Sequence, residues 1–212
     1  LLKSKQEKLR QNNQIEYCDS HFHYSDCFES HKDVFKNILL ENWMGCSCAH
    51  SEKEWFVQKE LGFYNSFGLH PQIFIDKKVD FNMQLLFLEN LLAEGKIDAI
   101  GEIGFDFYNE DFKATSDLQD FYFNCQIELA LKYNIPVIIH CRKANDRLFL
   151  YSKQLKKLPG VLFHSFMGSL VEAQSLCNKG INCFFSFGKQ ILNNNKNVIN
   201  IAKNISLEHL LL

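Results

Sequence analysis

Two histidines separated by one residue follow a short apolar run near the start of the chain. His21 and His23 belong to the segment DSHFH, which begins at Asp19. On an extended backbone, residues two apart point to the same side, so both imidazoles can face one point. Such a pair can bind one metal ion, although two surface histidines in a loop would give the same isolated pattern.

Three more metal-ligand residues end later apolar runs. These are Glu102 in IGEIGFD, His140 in VIIHCR and His164 in LFHSF. Taken singly, each of these histidines is equally well explained as a buried core residue or as a residue at the rim of the fold, without a metal. Their joint occurrence at equivalent points predicts a shared metal site. Gly101 and Gly104 flank Glu102 and leave room for close approach of backbone or ligand.

A carboxylate at position 102 is suited to bridge two cations. Two divalent ions about 3.5 to 4 Å apart polarise an ester oxygen and lower the pKa of a bound water. Nitrogen-rich coordination favours Zn or Mn over Mg or Ca. The sequence contains neither a G-x-S-x-G element nor a P-loop, so it predicts metal-assisted hydrolysis without a protein nucleophile.

The elements that must position these residues are short apolar runs alternating with helical patterns. Capping-box spacing at Ser51 with Glu54 and at Ser169 with Glu172 predicts two helix starts. Strands alternating with helices predict an α/β fold with a parallel sheet, either doubly wound or a (β/α)8 TIM barrel. Strand-like runs begin at Ile15, Trp43, Phe63, Ile97, Ile135, Gly160 and Ile181, and Leu210 to Leu212 close the chain.

Eight candidate strands favour the barrel, in which the carboxyl ends of all strands converge on one rim. Because such barrels need about 250 residues, the eighth strand is expected to be cut short and its helix absent. We expect an N-terminal extension at residues 1–14 and a single hydrolase barrel domain, incomplete at its C-terminus, at residues 15–212.

Composition narrows the classes of partner and compartment. The net charge of -2 argues against a broad basic face, so a polyanion would be held locally. Eight cysteines without a C-x-x-C pair predict reduced thiols and a cytoplasmic protein, with Cys18, Cys46, Cys48, Cys125 and Cys183 acting as small core hydrophobes. No apolar run approaches the roughly 18 residues of a membrane span, so no membrane partner is expected.

Six segments place these residues in a familiar order. DSHFHYSD, GLHPQ, GEIGFDFY, IIHCRKA, FHSFMGS and SFGKQIL together resemble the TatD family of metal-dependent hydrolases, from about Ile15 to the last residue. The resemblance implies a (β/α)8 barrel with two divalent metal ions, Zn, Mn or Mg. It also implies phosphodiester hydrolysis, most simply by a 3′-5′ deoxyribonuclease acting on DNA ends or on a small phosphoester.

The resemblance also implies a ligand set. His21 and His23 would bind one metal, Glu102 would bridge, and His140 with His164 would bind the second. The family continues its eighth strand into a Glu-Thr-Asp-x-Pro segment whose Asp is a ligand, and this sequence ends where that segment should begin. We therefore expect a weakened first metal and poor nuclease activity unless the missing segment is present.

Further residues would form the substrate rim if the resemblance holds. His70 would lie near the substrate phosphate, Arg142 would clamp it, and both join Glu102 as candidate catalytic residues. Asp106 and Tyr108 would position substrate, and Asp19 would accept a hydrogen bond from a ligating histidine. Simpler roles remain open: an ion pair for Arg142, a loop cap for Asp106 and a backbone hydrogen bond for His70.

Two alternative functions remain. A related barrel amidohydrolase or lactonase often has a carboxylated lysine on the fourth strand, where this sequence has Glu102. A degenerate metal-binding barrel could instead act as an interaction module. No oligomeric state is predicted, and His31, His50 and His209 are expected on helix surfaces or in loops.

Overall fold

Seven parallel strands form one sheet in sequence order. The computed structural model describes residues 17–30 and 43–211, so the predicted extension at residues 1–14 and the placement of His31 lie outside it. The strands are β1 (Tyr17–Phe22), β2 (Trp43–Ala49), β3 (Tyr64–Phe67), β4 (Ala99–Asp106), β5 (Val137–Arg142), β6 (Val161–His164) and β7 (Cys183–Phe185).

Helices connect the strands and cover one face of the sheet. No helix in the described ranges is both long and apolar enough to cross a bilayer. The helices are α1 (Tyr24–Ser30), α2 (Glu52–Gln58), α3 (Phe81–Ala93), α4 (Glu110–Lys113), α5 (Ser116–Tyr133), α6 (Asn145–Leu150), α7 (Ser152–Leu155), α8 (Leu170–Asn178) and α9 (Lys196–Asn204), with 3-10 turns at Pro71–Ile75 and Leu207–His209.

The sheet is strongly curled. Five strand spacings of about 4.8 Å would separate β1 from β6 in a flat sheet, or about 24 Å. The rings of His21 on β1 and His164 on β6 nevertheless have centroids only 3.7 Å apart. The carboxyl ends therefore converge on one rim, and the predicted α/β fold of the barrel type is confirmed.

The expected eighth strand is reduced to a single bridge within the described residues. Leu210 pairs with Phe185 in a parallel bridge. The backbone N–H of Leu211 donates to the carbonyl of Phe185 at 3.0 Å. Only the start of this strand is formed beside β7.

Alternation along the strands divides apolar residues between two packing layers. On β5, Ile139 packs in the large core between sheet and helices, where Phe105 meets Phe123 of α5 with centroids 4.7 Å apart. Ile138 points the other way and packs with Leu162 in a smaller cluster inside the curl. Because both faces of these strands are buried, their sequences are nearly continuous apolar runs.

The predicted helix starts are partly reproduced. Ser169 and Glu172 form both halves of a capping box at α8. Ser51 accepts from the backbone N–H of Glu54 at 3.3 Å, but the carboxylate of Glu54 accepts from the N–H of His50 at 2.7 Å instead of from Ser51. The second box is therefore only half formed.

The thiols are less uniformly buried than expected. All eight cysteines are free, and Cys48 and Cys183 are buried as predicted. Cys18 is exposed, because it lies near the start of β1 at the edge of the sheet, and Cys46 and Cys125 are only half-buried. The expectation that Cys18 and Cys125 lie in the core was wrong, whereas Cys46 packs against the cluster of Ile138 and Leu162.

Candidate metal centre

The carboxylate of Glu102 lies at the centre of a ring of imidazoles. Its Oε2 is 3.2 Å from Nε2 of His21 and 3.6 Å from Nε2 of His23. The same oxygen is 3.7 Å from Nε2 of His70, while Oε1 is 2.9 Å from Nδ1 of His140. Strands β1, β3, β4 and β5 supply or directly precede these side chains, so the convergence depends on the curl of the sheet.

Two groups of potential ligands share Glu102. His21 and His23 form one group with it, as the sequence predicts, and His70 and His140 form the other. Within each group the ligand atoms all lie within 4.8 Å of one another. The second group contains His70 where the family resemblance implies His164.

His164 stands at the same rim in a different environment. Its Nε2 is 3.1 Å from Oγ of Ser165, and its Nδ1 is 3.3 Å from Oγ of Ser186. Its ring packs against that of His21. His164 therefore lines the site, and its role as a metal ligand stays a prediction.

The glycines beside Glu102 allow neighbouring strands to approach closely. A Cβ at Gly101 would lie 2.6 Å from the Cβ of Ile138. A Cβ at Gly104, where φ is 141°, would collide with the carbonyl of His140. The close approach predicted from the sequence is thus made by β5, and it brings His140 beside Glu102.

Two buried carboxylates flank His140. Its Nε2 is 3.0 Å from Oδ2 of Asp106, opposite the contact with Glu102. Burial opposes protonation of this ring, but hydrogen bonds with Asp106 and Glu102 outweigh it and raise the pKa of His140 to about 9. Despite its burial, hydrogen bonds from His140 and His21 hold the pKa of Glu102 well below its usual value.

The other imidazoles divide into two electrostatic types. Burial opposes protonation of His23, yet contacts with Glu102 raise its pKa. Burial and nearby histidines lower the pKa of His50 to about 4 and that of His164 to about 3. Burial also lowers the pKa of His70 well below its usual value. Neutral imidazoles of this kind keep a nitrogen lone pair available.

Asp106 is a positioning residue in this structure. Its side chain is fully buried, and Oδ2 accepts a hydrogen bond from Nε2 of Gln72 at 2.7 Å. Its Oδ1 accepts from the backbone N–H of Tyr108 at 2.8 Å. Together with the His140 contact, these bonds fix the ligand-bearing end of β5. Direct contact of Asp106 with substrate stays a prediction.

Arg142 and Tyr108 form a cation–π pair at the rim. The guanidinium carbon lies 3.5 Å from the centroid of the Tyr108 ring, and the ring itself is 49% exposed. Among residues 17–30 and 43–211, no carboxylate lies within ion-pair distance of Arg142. The guanidinium fork therefore remains available to an anion.

The sequence did not predict two residues of the site, Cys48 on β2 and His50 directly after this strand. His50 lies in the bend directly after β2, so its predicted place in a loop is confirmed, but it also lines the pocket, with its ring 4.9 Å from that of His23 and 4.8 Å from that of His70. The buried thiol of Cys48 is 2.9 Å from Nδ1 of His21. The alternation of Cys48 and His50 on a strand is the signal that could have located both.

Cys48 holds the contact that the sequence assigned to Asp19. Oδ1 of Asp19 accepts from the backbone N–H of His21 at 3.0 Å, so it does not reach the ring. Ser66 donates to Sγ of Cys48 at 2.7 Å and fixes the thiol. Burial raises the pKa of the Cys48 thiol, so its S–H can donate to Nδ1 of His21, which leaves Nε2–H of His21 to donate to Glu102.

These groups surround an open pocket of about 510 Å³. Its floor contains Glu102 and its histidines, and cations at its edge come from Arg142 and the exposed Lys189. Asp26 and Glu54 also line it, so the charge is mixed rather than broadly basic. The pocket can hold a small anionic group above the carboxylate.

The donor set fits divalent cations. Six imidazoles crowd around one buried carboxylate, with neighbouring ring centroids 3.7 to 4.9 Å apart. Protonating all of them would gather like charges, whereas leaving them neutral presents several lone pairs to one small volume. A cation shared through Glu102 resolves this conflict, and nitrogen ligands favour Zn or Mn.

Part of this sequence is similar to curated proteins. The 3′-5′ ssDNA/RNA exonuclease TatD of Cronobacter sakazakii is 34% identical over 139 residues, which are 65% of this chain and 51% of that protein. The uncharacterized metal-dependent hydrolase YjjV of Escherichia coli is 31% identical over 117 residues, 55% of this chain and 44% of that protein. The chain spans about half the length of these curated relatives.

Two solved structures share the fold. The TatD homologue YJJV from Escherichia coli superposes with a TM-score of 0.78 at 25% identity, covering 92% of this chain and 77% of the other. A TatD family hydrolase from Entamoeba histolytica gives a TM-score of 0.68 at 19% identity, covering 92% and 72%. The second likeness concerns the fold alone.

A curled parallel sheet with histidines and a carboxylate at its carboxyl rim is typical of metal-dependent barrel hydrolases. The model of one such family, TatD related DNase, matches residues 18–212. The chain belongs to this family.

Proposed function

We propose that this protein is a metal-dependent phosphodiesterase that removes nucleotides from the 3′ end of single-stranded nucleic acid, DNA being the first candidate. The observation that carries the proposal is the shared carboxylate of Glu102 with imidazoles from both ligand groups around it. The TatD exonuclease among its relatives supports the choice of substrate. Metal binding supplies Lewis-acid activation of the ester and of a water.

In this proposal, His21 and His23 hold one ion with Glu102, and His140 completes the second group with His70 or His164. Glu102 is held ionised, so it can serve as the bridging ligand. Asp106 fixes His140 from behind, which orients the ring toward Glu102. The two ions would be divalent, with Zn, Mn and Mg as candidates.

His70 has a second possible task at the substrate phosphate. Its Nδ1 accepts from the backbone N–H of Gln72 at 3.3 Å. In a neutral imidazole this places the proton on Nε2, the nitrogen that faces Glu102. An Nε2–H donor suits a phosphate oxygen, as the family resemblance implies, whereas a metal ligand at Nε2 would require the other tautomer.

Arg142 is assigned to the phosphate because nothing acidic in the described chain pairs with it, and stacking on Tyr108 holds its plane at the rim. The exposed face of Tyr108 offers a surface for a terminal base. The pocket holds only a few phosphates, which agrees with a net charge of -2 and favours chain ends over long duplexes. The eight free thiols favour a reducing compartment such as the cytoplasm.

A labelled single-stranded oligonucleotide tests the proposal, with the full-length gene product as enzyme. We expect stepwise loss of 3′ nucleotides in Mn or Mg, abolished by chelator and by Glu102→Gln. Glu60→Gln is the matched control, because this carboxylate is 83% exposed and remote from the pocket. Its activity should equal that of the parent protein.

Three results would contradict the proposal. Hydrolysis of a lactone or cyclic amide without any oligonucleotide cleavage would favour the amidohydrolase alternative. Stoichiometric metal binding without hydrolysis of either substrate class would favour the interaction module. Cleavage that survives Glu102→Gln would move the reaction to another site.

A further inference from the structure

A second group of metal-ligand residues lies apart from Glu102, beside β7. Cys177 belongs to α8, Cys183 begins β7, and His209 ends the C-terminal 3-10 turn. Their two sulfur atoms and a ring nitrogen all lie within 4.8 Å of one another. We propose that these residues form a structural site for a thiophilic divalent cation, with Zn²⁺ as the expected ion.

The donor types select the ion. Two thiolates and an imidazole are soft and borderline ligands that suit Zn, whereas Mg and Ca require oxygen. In a tetrahedral zinc site the ligand atoms are about 3.3 to 3.8 Å apart, given Zn–S near 2.3 Å and Zn–N near 2.1 Å. The observed spread of up to 4.8 Å closes to this range with small side-chain movements.

His209 is already held against the strand that carries the buried thiol. Its Nδ1 lies 2.8 Å from the carbonyl oxygen of Cys183. A carbonyl can only accept, so Nδ1–H donates and the lone pair of the neutral ring resides on Nε2. A backbone carbonyl on one nitrogen is a common arrangement for a metal-bound histidine, because it fixes the tautomer and the ring plane.

A bound cation would also convert the two thiols into thiolate ligands. Cys183 is completely buried, and burial raises the pKa of its thiol, as does its proximity to Cys177. Without an ion this thiol stays protonated and packs as a small hydrophobe. A bound cation stabilises the thiolate and lowers that pKa.

The site opens on one side to solvent. A pocket of about 390 Å³ adjoins it and is lined by Cys177 and His209 together with polar side chains of Asn178, Asn204 and Ser206. A water or one of these oxygens can therefore supply a fourth ligand. The ion would link α8, β7 and the C-terminal segment in which Leu210 forms a β-bridge with Phe185.

Cobalt substitution of the reduced full chain tests the site. We expect one Co²⁺ per chain to give a thiolate charge-transfer band in the near ultraviolet, which a histidine and carboxylate centre does not produce. Cys177→Ser should remove the band, and His209→Gln should weaken cobalt binding. Cys125→Ser is the control, because this half-buried thiol lies on α5 outside the cluster. Running each variant with Glu102→Gln separates this site from the proposed catalytic centre.

Circular dichroism of each variant verifies folding before cobalt is added. In the Glu102→Gln background, absence of a thiolate band at one equivalent of cobalt, or an unchanged band in Cys177→Ser, would overturn the proposal. A Cys177–Cys183 disulfide in protein alkylated directly from its source would also overturn it, since a disulfide leaves no thiolate ligands.

Discussion

Glu102 keeps its charge although its side chain is nearly buried. A solitary buried carboxylate would become neutral, but imidazoles on both oxygens make the ionised form the stable one. The same imidazoles are crowded enough to repel one another when protonated. The site therefore combines one fixed negative charge with the neutral imidazoles of His50, His70 and His164, and a bound cation would displace the proton that His140 carries without it.

Arg142→Lys tests the phosphate clamp. We expect kcat/KM on an oligonucleotide to fall about tenfold, because Lys replaces a planar fork with a point charge. Metal content, measured by elemental analysis, should not change. Arg147→Lys serves as control, since this residue lies over Phe107 outside the main pocket. Unchanged kinetics for Arg142→Lys would remove it from substrate binding.

The metal-free protein should be most stable near pH 6.5. Above that pH an unfolded histidine is neutral while His140 keeps its proton until about pH 9, so stability falls as pH rises through this interval. Below it, unfolded histidines gain protons that His50 and His164 bind only near pH 4 and pH 3, so stability also falls toward acid.

Urea unfolding in chelator across this pH range measures both limbs. His140→Gln should reduce the alkaline limb to the part that the raised pKa of His23 contributes and leave the acid limb, and His50→Gln should reduce the acid limb alone. Each variant is the control for the other. A stability curve without an alkaline decline would show that His140 is not held protonated between its carboxylates.

The sequence could predict the members of the site that follow clear patterns. The spacing of His21 and His23 predicts their pairing. Glu102 and His140 follow from their apolar runs, although both lie within β4 and β5 rather than at the strand ends that the sequence predicts. Cys48 was interpreted only as a core residue, because a thiol in an apolar run gives no sign of its neighbours. Its role depends on β2 lying beside β1, which is long-range information.

At the scale of elements, the pairing of β4 with β5 determines the geometry of the site. Gly104 lies opposite His140, and Asp106 lies opposite Arg142. Only a residue without Cβ permits this approach at Gly104. Strand β4, which carries Glu102, is therefore held against β5, which carries His140 and Arg142.

Gly104→Ala should cost about 3 kcal/mol or more, because the added methyl meets backbone rather than a flexible side chain. Gly95→Ala is the matched control. It also has a positive φ, 60°, but nothing lies within 4 Å of its added Cβ, so about 1 kcal/mol is expected. Urea unfolding distinguishes the two. Equal losses would show that backbone conformation, rather than the contact with β5, requires glycine at position 104.

The apolar runs predicted the strands because both layers against the sheet are apolar. The run beginning at Phe63 became β3 at Tyr64–Phe67, and the run beginning at Ile135 became β5 at Val137–Arg142. The pairing of the strands and the curl of the sheet could not be predicted from individual residues. They depend on contacts such as that of Phe105 with Phe123, which join positions far apart along the chain.

At the scale of the whole molecule, metal removal should loosen the rim. The ligand groups join segments from His21 to His140, so a cation that binds only the folded state raises its stability. At a free metal concentration a hundredfold above Kd, the gain is about 2.7 kcal/mol. Thermal unfolding of Cys177→Ser protein with Mn, and then with chelator, measures this effect without the proposed thiolate site.

Glu102→Gln in the same Cys177→Ser background should lose most of the response to Mn. In chelator, the Tm of the two proteins should differ only by the effect of the hydrogen bonds that change when Glu102 is replaced by glutamine. A metal-induced rise in Tm that is the same in both would place the stabilising ion elsewhere.

The alternation along β5 sets a limit on how the gene can tolerate changes of length. Ile139 packs outward beneath the helices, whereas Ile138 and His140 face into the curl. One codon inserted just before position 138 would exchange these two faces, sending the imidazole of His140 into the helix layer and the side chain of Ile139 toward Glu102. A library of single-codon insertions should therefore leave few functional clones within residues 137–142, while the loop around Asn193 to Asn195 should accept them freely.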